Sequence, residues 1–236
     1  MQASVRAFAA CAALLALGAC SDSTTTPSPA TRALSPAAPV FDFASTGTAL
    51  GVTDVDFAIT SDGGSFVIGG LYTVSFPANS VCDPARSTYG STEWDKDCTL
   101  LDPGQAVKVH ATLSLTSAGL AVDFTPALRF SPSAKVIIST DIFAPVITAN
   151  RDYFQKNRDA LNALAIFYSK SIGAQGEKDF ATDKSVGTHI DLNTGIIWRR
   201  VKHFSGYSIV TGESCDPSPD NPDCVVIDDT DGGGGT

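Results

Sequence analysis

The chain has 236 residues, of which 43% are hydrophobic and 17% charged, so its composition suits a domain with a buried core and argues against wholesale disorder. Lys and Arg total 16 against 25 Asp and Glu, and the formal net charge of −9 disfavours a nucleic-acid-binding surface. No apolar run of about 18 residues follows the first twenty positions, which excludes a bundle of transmembrane helices.

The first twenty residues have the pattern of a signal peptide. Arg6 supplies a positive charge, and the apolar run at 7–17 is too short to span a bilayer comfortably. The run closes on Leu17-Gly18-Ala19-Cys20, which resembles the bacterial lipobox. The resemblance implies removal of residues 1–19, lipidation of Cys20 and anchoring in the cell envelope, with the outer membrane favoured because Ser21 follows the cysteine. An ordinary secretory signal that happens to contain a cysteine is the alternative.

Two segments of low complexity flank the region with a strand pattern. Residues 20–40 are rich in Ser, Thr, Ala and Pro and almost lack large apolar groups, so they predict an extended, lipidated tether. Residues 213–236 are rich in Asp, Pro and Gly and predict a mostly irregular acidic tail. The region between them, residues 41–212, is the predicted folded domain.

Residues 41–212 carry short apolar runs bounded by Gly, Pro or Ser, as the strands of a sandwich or a barrel are. The clearest runs are 65–68, 71–76, 107–113 and 134–139. Apolar residues alternate along the third run and share one face, namely Val107, Val109, Ala111, Leu113 and Leu115. We therefore predict an all-β fold, an antiparallel β-sandwich.

Two further elements are predicted in the second half of the chain. An Asn-x-Gly sequence at 193–195 favours a hairpin that leads into a strand at 196–201. Residues 151–164 show a helical tendency, and the overlapping stretch 163–169 suits a strand equally well.

Four cysteines follow Cys20 and allow three disulfide connectivities. Local pairing, Cys82–Cys98 and Cys215–Cys224, is the most economical in a disulfide-permissive envelope. Each closed loop should contribute roughly 2–3 kcal/mol in the chain-entropy model. A zinc site built from the four thiolates lacks the C-x-x-C spacing, and we expect neither a metal nor a cofactor.

Three stretches, taken in order, resemble one family. They are Gly63-Gly64 followed by GGLYTVSFPANSV at 69–81, VDFTPALRFSP at 122–132 and VKHFSGYSI at 201–209. Together they resemble the ZU-five domain, a β-sandwich known from ankyrins and netrin receptors and present in bacterial surface proteins. The resemblance implies such a sandwich over most of residues 60–212, and the stretch between Cys82 and Cys98 departs from the family pattern.

The sequence His203-Phe204-Ser205 has a chemical interpretation in this family. In some members the Phe–Ser bond cleaves itself, which would make Ser205 the nucleophile, His203 the base and the Phe204 carbonyl the group attacked. The alternative is structural: Phe204 packs, and the two polar residues satisfy hydrogen bonds at a strand end. Because no residue nearby in sequence offers an oxyanion donor, we expect the bond to stay intact in most molecules.

The remaining candidates are weaker. His110 and His189 are expected on the solvated side of strands, whereas Tyr89 and Trp94 lie in the Cys82–Cys98 loop and are candidates for binding a sugar or a protein. A tryptophan that plugs the end of the sandwich is the alternative. The sequence predicts a lipid-anchored envelope protein that displays a binding or structural module and is not an enzyme, with self-cleavage as the alternative function. We expect the membrane and a protein or glycan as partners, and no nucleic acid.

Overall fold

The computed structural model describes residues 52–116, 119–169, 186–210 and 225–228. The predicted signal peptide, Cys20, the tether and the Cys215–Cys224 pair lie outside these residues. Among the described residues, no helix is long and apolar enough to cross a membrane.

Short strands dominate the described residues. The strands are β1 (Thr53–Thr60), β2 (Gly64–Ile68), β3 (Tyr72–Phe76), β4 (Ala106–Thr116), β5 (Gly119–Thr125), β6 (Leu128–Arg129), β7 (Ile137–Thr140), β8 (Ile166–Ser169), β9 (Thr188–Ile190), β10 (Ile197–Arg200), β11 (His203–Phe204), β12 (Gly206–Val210) and β13 (Val225–Ile227). Between β7 and β8 lie α1 (Ala144–Ala149), α2 (Arg151–Lys156) and a 3₁₀ helix (Arg158–Leu164).

The strands form two main sheets in a sandwich-like arrangement. The first is antiparallel, with the strand order β1-β4-β5-β12-β8. The second has the order β13-β9-β10-β7-β3-β2 and is antiparallel except for the parallel pair β13–β9. Strands β6 and β11 form a separate short pair. We predicted an all-β antiparallel sandwich, and the structure confirms the coarser description of a mostly β fold with two sheets. The helical segment and the parallel pair β13–β9 depart from that prediction.

Strand β4 shows why the alternating sequence forms this sheet. Val109, Ala111 and Leu113 are buried in the core, while Lys108 and His110, on the opposite face of the strand, are exposed. Successive side chains of a strand point to opposite faces, so a period of two places every second residue in the core. One hydrophobic cluster takes side chains from both main sheets.

The predicted hairpin is the connection between β9 and β10. The Asp191 carboxylate accepts hydrogen bonds from the Asn193 amide at 2.8 Å and from the Thr194 hydroxyl at 2.8 Å, which closes the turn. Gly195 has φ +72°, and a Cβ there would lie 2.4 Å from the Cα of Ala144. Only glycine combines this backbone angle with so close an approach to α1.

The helical segment differs from the sequence prediction in extent. The predicted stretch 151–164 contains α2 and the 3₁₀ helix, which are separated at Asn157. The adjacent α1 was not predicted from its sequence APVITA, which contains β-branched residues that favour strands. Tertiary packing compensates for this preference, because Ile147 is fully buried.

Buried hydrogen bonds connect the two main sheets. The Tyr72 hydroxyl of β3 donates to the carbonyl of Leu120 in β5 at 3.1 Å. The Thr188 hydroxyl of β9 accepts from the amide of Ile166 in β8 at 2.8 Å, and Arg199 of β10 donates to the carbonyl of Ile166 at 2.6 Å. The core therefore contains directional contacts between the sheets in addition to apolar packing.

Strand β13 lies in the segment that the sequence analysis predicted to be an irregular tail. Val225 and Ile227 are partly buried and pack against the core, with the exposed Val226 between them. The apolar triplet Val-Val-Ile is short, but its β-branched residues suit a strand at a sheet edge. This part of the tail prediction is corrected accordingly.

Candidate functional site

The backbone leaves one sheet and enters another at Ser205. Residues His203 and Phe204 form β11, which pairs with β6, whereas β12 begins at Gly206 and pairs with β5 and β8. Ser205 is the bend between the two strands. The regular strand predicted after it is present, but Ser205 itself is outside the ladders.

The imidazole of His203 is fully buried in an aromatic surround. The indole of Trp94 stacks on it with ring centroids 3.7 Å apart and an interplanar angle of 16°, and Tyr168 meets it edge-on at 4.8 Å. Its Nδ1 atom lies 3.4 Å from the Oγ of Ser205 and 3.3 Å from the hydroxyl of Tyr89. The surrounding rings thus hold the imidazole with Nδ1 facing both hydroxyls, those of Tyr89 and Ser205.

A tyrosine from a distant part of the chain contacts the same peptide bond. The hydroxyl of Tyr89 donates a 2.9 Å hydrogen bond to the carbonyl oxygen of Phe204. This is the carbonyl that Ser205 would attack in the self-cleavage interpretation. The contact joins residues 115 positions apart, and it supplies the donor that the local sequence lacks.

The side chain of Phe204 is part of the core. Its ring stacks on Phe124 at 4.0 Å and meets Phe76 and Phe130 edge-on at 5.4 and 4.9 Å. Such aromatic contacts hold a side chain in place beyond the effect of area burial. Packing of Phe204 therefore fixes the position of its carbonyl, whatever chemistry follows.

The loop of residues 83–97, here called the disulfide loop, carries Tyr89 and Trp94 to this site. Cys82 and Cys98 form a disulfide with a Cα–Cα distance of 5.7 Å, which is the predicted local pairing. The amide of Cys82 also donates to the carbonyl of Arg129 in β6 at 3.0 Å. The loop is therefore attached to the strand that pairs with β11.

Two buried cations hold the disulfide loop against the sandwich. The Arg129 guanidinium donates to the carbonyls of Glu93 and of Asp97, the latter at 3.2 Å. The ammonium of Lys202, just before β11, pairs with Asp95. Both cations are at most 5% exposed, so their hydrogen bonds are needed to offset desolvation.

The start of the disulfide loop is stabilised by Asp83. Its carboxylate accepts a 2.9 Å hydrogen bond from the amide of Ala85 and pairs with Arg86. The amide of Ala85 and the guanidinium of Arg86 hold the pKa of Asp83 below its ordinary value. The loop is thus ordered at its first turn as well as at its centre.

The two aromatic candidates for ligand binding are placed differently. Trp94 is 3% exposed, and its ring stacks on His203 and meets Tyr168 edge-on, so it is packed inside the protein and does not face solvent. Tyr89 is 42% exposed, but its hydroxyl points inward to Phe204. The structure does not join the two rings into one exposed surface.

The other two histidines lie in different surroundings. His110 is on the exposed face of β4, opposite Asp56 of β1, and the Nδ1–Oδ1 distance is 2.8 Å. The hydrogen bond to Asp56 raises the pKa of His110 above its ordinary value. His189 is less solvated than expected, because it stacks on Trp198 and bonds Asp228. Within the described ranges, no three His, Cys, Asp or Glu residues are grouped to hold a metal ion.

A scan against protein-family models found no match, and searches of the curated proteins and of the solved structures found none either. The likeness to the ZU-five domain thus rests on the three quoted stretches alone. Sequence reasoning missed the contact between Tyr89 and Phe204 and the contacts of Asp228. The only signals in the sequence were an aromatic residue in a cysteine-closed loop and an apolar triplet followed by Asp.

Proposed function

We propose that the protein is a lipid-anchored component of the cell envelope whose ZU-five-like β-sandwich is a binding or structural module. The Cys82–Cys98 disulfide supports an extracytoplasmic location, since such bonds persist mainly in oxidising compartments. Leu17-Gly18-Ala19-Cys20 supports the lipid anchor. A lipidated cysteine followed by a Ser/Thr/Pro tether would display the folded domain away from the membrane surface.

The substitution Cys20→Ser tests the anchor. The variant should lose its lipid and move from the detergent phase to the aqueous phase in detergent partitioning of envelope extracts. The matched control is Cys11→Ser, which lies in the segment expected to be removed and should leave partitioning unchanged. A Cys20→Ser protein that partitions like the wild type contradicts the lipid anchor.

A second candidate function is self-cleavage between Phe204 and Ser205. The observation that favours it is the hydrogen bond from the Tyr89 hydroxyl to the carbonyl oxygen of Phe204. A donor at this position stabilises negative charge as it develops on the oxygen, and removing one such donor typically slows a reaction about 10²–10³-fold. The Oγ of Ser205 lies 3.4 Å from Nδ1 of His203. Hydrogen bonds between catalytic groups are often this long before the reaction and shorten as it proceeds.

The proposed reaction uses groups of this chain and one water. The Oγ of Ser205 attacks the carbonyl carbon of Phe204 while its proton passes to Nδ1 of His203, and Tyr89 bonds the resulting oxyanion. The bond between the Phe204 carbon and the Ser205 nitrogen then breaks, and the nitrogen takes the proton from His203. Water hydrolyses the ester, which leaves a carboxylate at Phe204 and a new amino terminus at Ser205.

Intact mass under denaturing conditions separates the two candidates. Denaturation is necessary because β12 pairs with both β5 and β8 and would retain a cut segment. A single chain supports a module without self-cleavage. The 32-residue fragment Ser205–Thr236 supports self-cleavage, provided that Ser205→Ala abolishes it.

The variant Tyr89→Phe tests the donor within the second candidate. It removes only the hydroxyl and should slow fragment formation about 10²-fold or more. The matched control is Tyr207→Phe, which removes a hydroxyl that donates to the neighbouring carbonyl of His203, also at 2.9 Å. Equal slowing in both variants contradicts a specific role for Tyr89.

A further inference from the structure

Strand β13 occupies the outer edge of β9 in the six-stranded sheet. The two strands are parallel, and Val225, Val226 and Ile227 lie opposite Thr188, His189 and Ile190. One residue further on, the amide of Asp228 donates to the carbonyl of Ile190 at 3.1 Å. An extended segment thus adds a strand to an existing sheet, as peptides do in β-augmentation.

The carboxylate of Asp228 is held by two side chains of the sheet. Its Oδ1 lies 3.0 Å from Nδ1 of His189, and its Oδ2 accepts from the indole Nε1 of Trp198 at 3.0 Å. His189 and Trp198 are opposite each other on β9 and β10, and their rings stack at 3.9 Å with an angle of 10°. The sheet therefore binds this carboxylate through two ring nitrogens, one for each oxygen.

The apolar contacts of β13 follow the alternation of a strand. The side chains of Val225 and Ile227 pack against the core, while Val226 is 37% exposed. The edge therefore favours apolar side chains at the positions of Val225 and Ile227 and accepts any side chain at the position of Val226. It binds an aspartate at the position of Asp228. Backbone pairing provides affinity in this mode of recognition, and the side-chain positions provide specificity.

Strand β13 lies at the end of its sheet and pairs with a neighbour on one side only. It contributes three ladder residues, and neither Val225 nor Ile227 is fully buried. A segment of this kind is retained mainly because the chain connects it to the site and keeps its local concentration high. A second segment of the same pattern can compete for the same edge.

We propose that the outer edge of β9, with His189 and Trp198, is a docking site for an extended acidic segment of a partner protein. The partner segment carries the pattern apolar–any–apolar–Asp, and residues 225–228 occupy the site in this structure as an internal ligand. The inference specifies the binding role proposed above and rests on it. It is independent of whether the Phe204–Ser205 bond is cut.

The probe is a fluorescent peptide, Val-Val-Ile-Asp-Asp-Thr, which is the sequence of residues 225–230. It is titrated against the purified full chain and against the double variant Val225→Lys, Ile227→Lys, in which the internal strand is unseated. The peptide should bind the double variant at least about 10-fold more tightly, because its tethered competitor has been displaced. Equal affinity for both proteins overturns the proposal.

Specificity is read from matched changes on both sides of the contact. In the double variant, Trp198→Phe should weaken peptide binding about 10-fold, since it removes one hydrogen bond to a charged group and keeps an aromatic ring. A peptide with Asn in place of the first Asp should bind more weakly by a similar factor. Binding that is insensitive to both changes overturns the assignment of the carboxylate receptor.

A milder variant keeps the test valid if the double variant does not fold. Asp228→Asn retains both apolar contacts of β13 and should raise peptide affinity by a smaller factor than the double variant.

Sedimentation measures whether either variant dimerises. Concentration-dependent dimers in place of peptide binding identify a second copy as the occupant and overturn the partner proposed here. The peptide experiment uses purified protein, so a negative result does not bear on the lipid anchor, which the Cys20→Ser experiment tests separately.

Discussion

Each of the chain's two tryptophans stacks on a histidine, and the two pairs have different surroundings. Trp94 and His203 are at most 3% exposed and lie under the disulfide loop. Trp198 and His189 lie near the sheet edge, where the side chain of His189 is 18% exposed. The ring geometries are nearly the same, at 3.7 and 3.9 Å between centroids.

The difference between the pairs lies in what their polar atoms contact. The imidazole of His203 contacts two hydroxyl groups, those of Tyr89 and Ser205. Around His189, both rings direct a nitrogen at the carboxylate of Asp228, the residue that follows the edge strand β13. The same aromatic pair thus packs beside a peptide bond at a strand junction in one place and binds a carboxylate at the end of an edge strand in the other.

The largest expected effect is that of Trp94→Ala. Removing a large, fully packed aromatic ring leaves a cavity, and such substitutions typically cost about 3–5 kcal/mol of unfolding free energy. Urea unfolding at equilibrium measures the loss. A loss below about 1 kcal/mol contradicts the description of Trp94 as a fully packed ring.

The disulfide that closes the loop over Trp94 should contribute somewhat less. Replacing Cys82 and Cys98 by Ser opens a loop with a sequence separation of 16, for which chain entropy predicts a loss of about 3 kcal/mol. The same unfolding experiment, with and without a reductant, measures it. Wild-type protein that loses no stability on verified reduction contradicts the prediction.

A smaller effect is expected at the edge pair. Trp198→Phe keeps a ring beside His189 and removes only the donor to Asp228, so global stability should fall by about 1 kcal/mol or less. The amide of Asp228 should exchange its hydrogen faster, because β13 opens more often. Faster exchange throughout both sheets would instead indicate that β13 is essential to the fold. Trp94→Phe is the matched control and should leave the exchange of the Asp228 amide unchanged.

The smallest expected effect is a change in the pKa of His110, a histidine that pairs with a carboxylate and does not stack on a tryptophan. Asp56→Asn should lower the pKa of His110 toward its ordinary value, as measured by NMR titration. Because the pKa is raised in the folded state, the pair stabilises the protein fully below about pH 6.5 and loses this contribution as pH rises through the folded-state pKa. A His110 pKa that is unchanged by Asp56→Asn contradicts the role of this hydrogen bond.

The sequence predicted features that depend on local patterns. The alternation of Val109, Ala111 and Leu113 predicted β4 and its buried face, and the Asp191–Gly195 turn predicted the hairpin. Both follow from periodicity and turn chemistry, which act over a few residues. The overall class of the fold was predictable for the same reason.

The missed features depend on contacts between distant parts of the chain. The hydrogen bond from Tyr89 to Phe204 forms because the disulfide loop lies over β11, and no local pattern specifies that position. Residues 225–227 form a strand through their pairing with β9, which lies far from them in sequence. The helix α1 likewise forms against its own β-branched composition, through burial of Ile147.

The hydrogen bonds between the sheets have a consequence for motion. The hydrophobic effect is non-directional, whereas a buried hydrogen bond is lost when its two groups move apart or turn away from each other. The bonds from Tyr72 to Leu120 and from Thr188 and Arg199 to Ile166 require fixed relative positions, and they join β3 to β5 and β9 and β10 to β8. Sliding of one sheet over the other would break these buried hydrogen bonds. The domain should therefore transmit force between its two sheets as a stiff body.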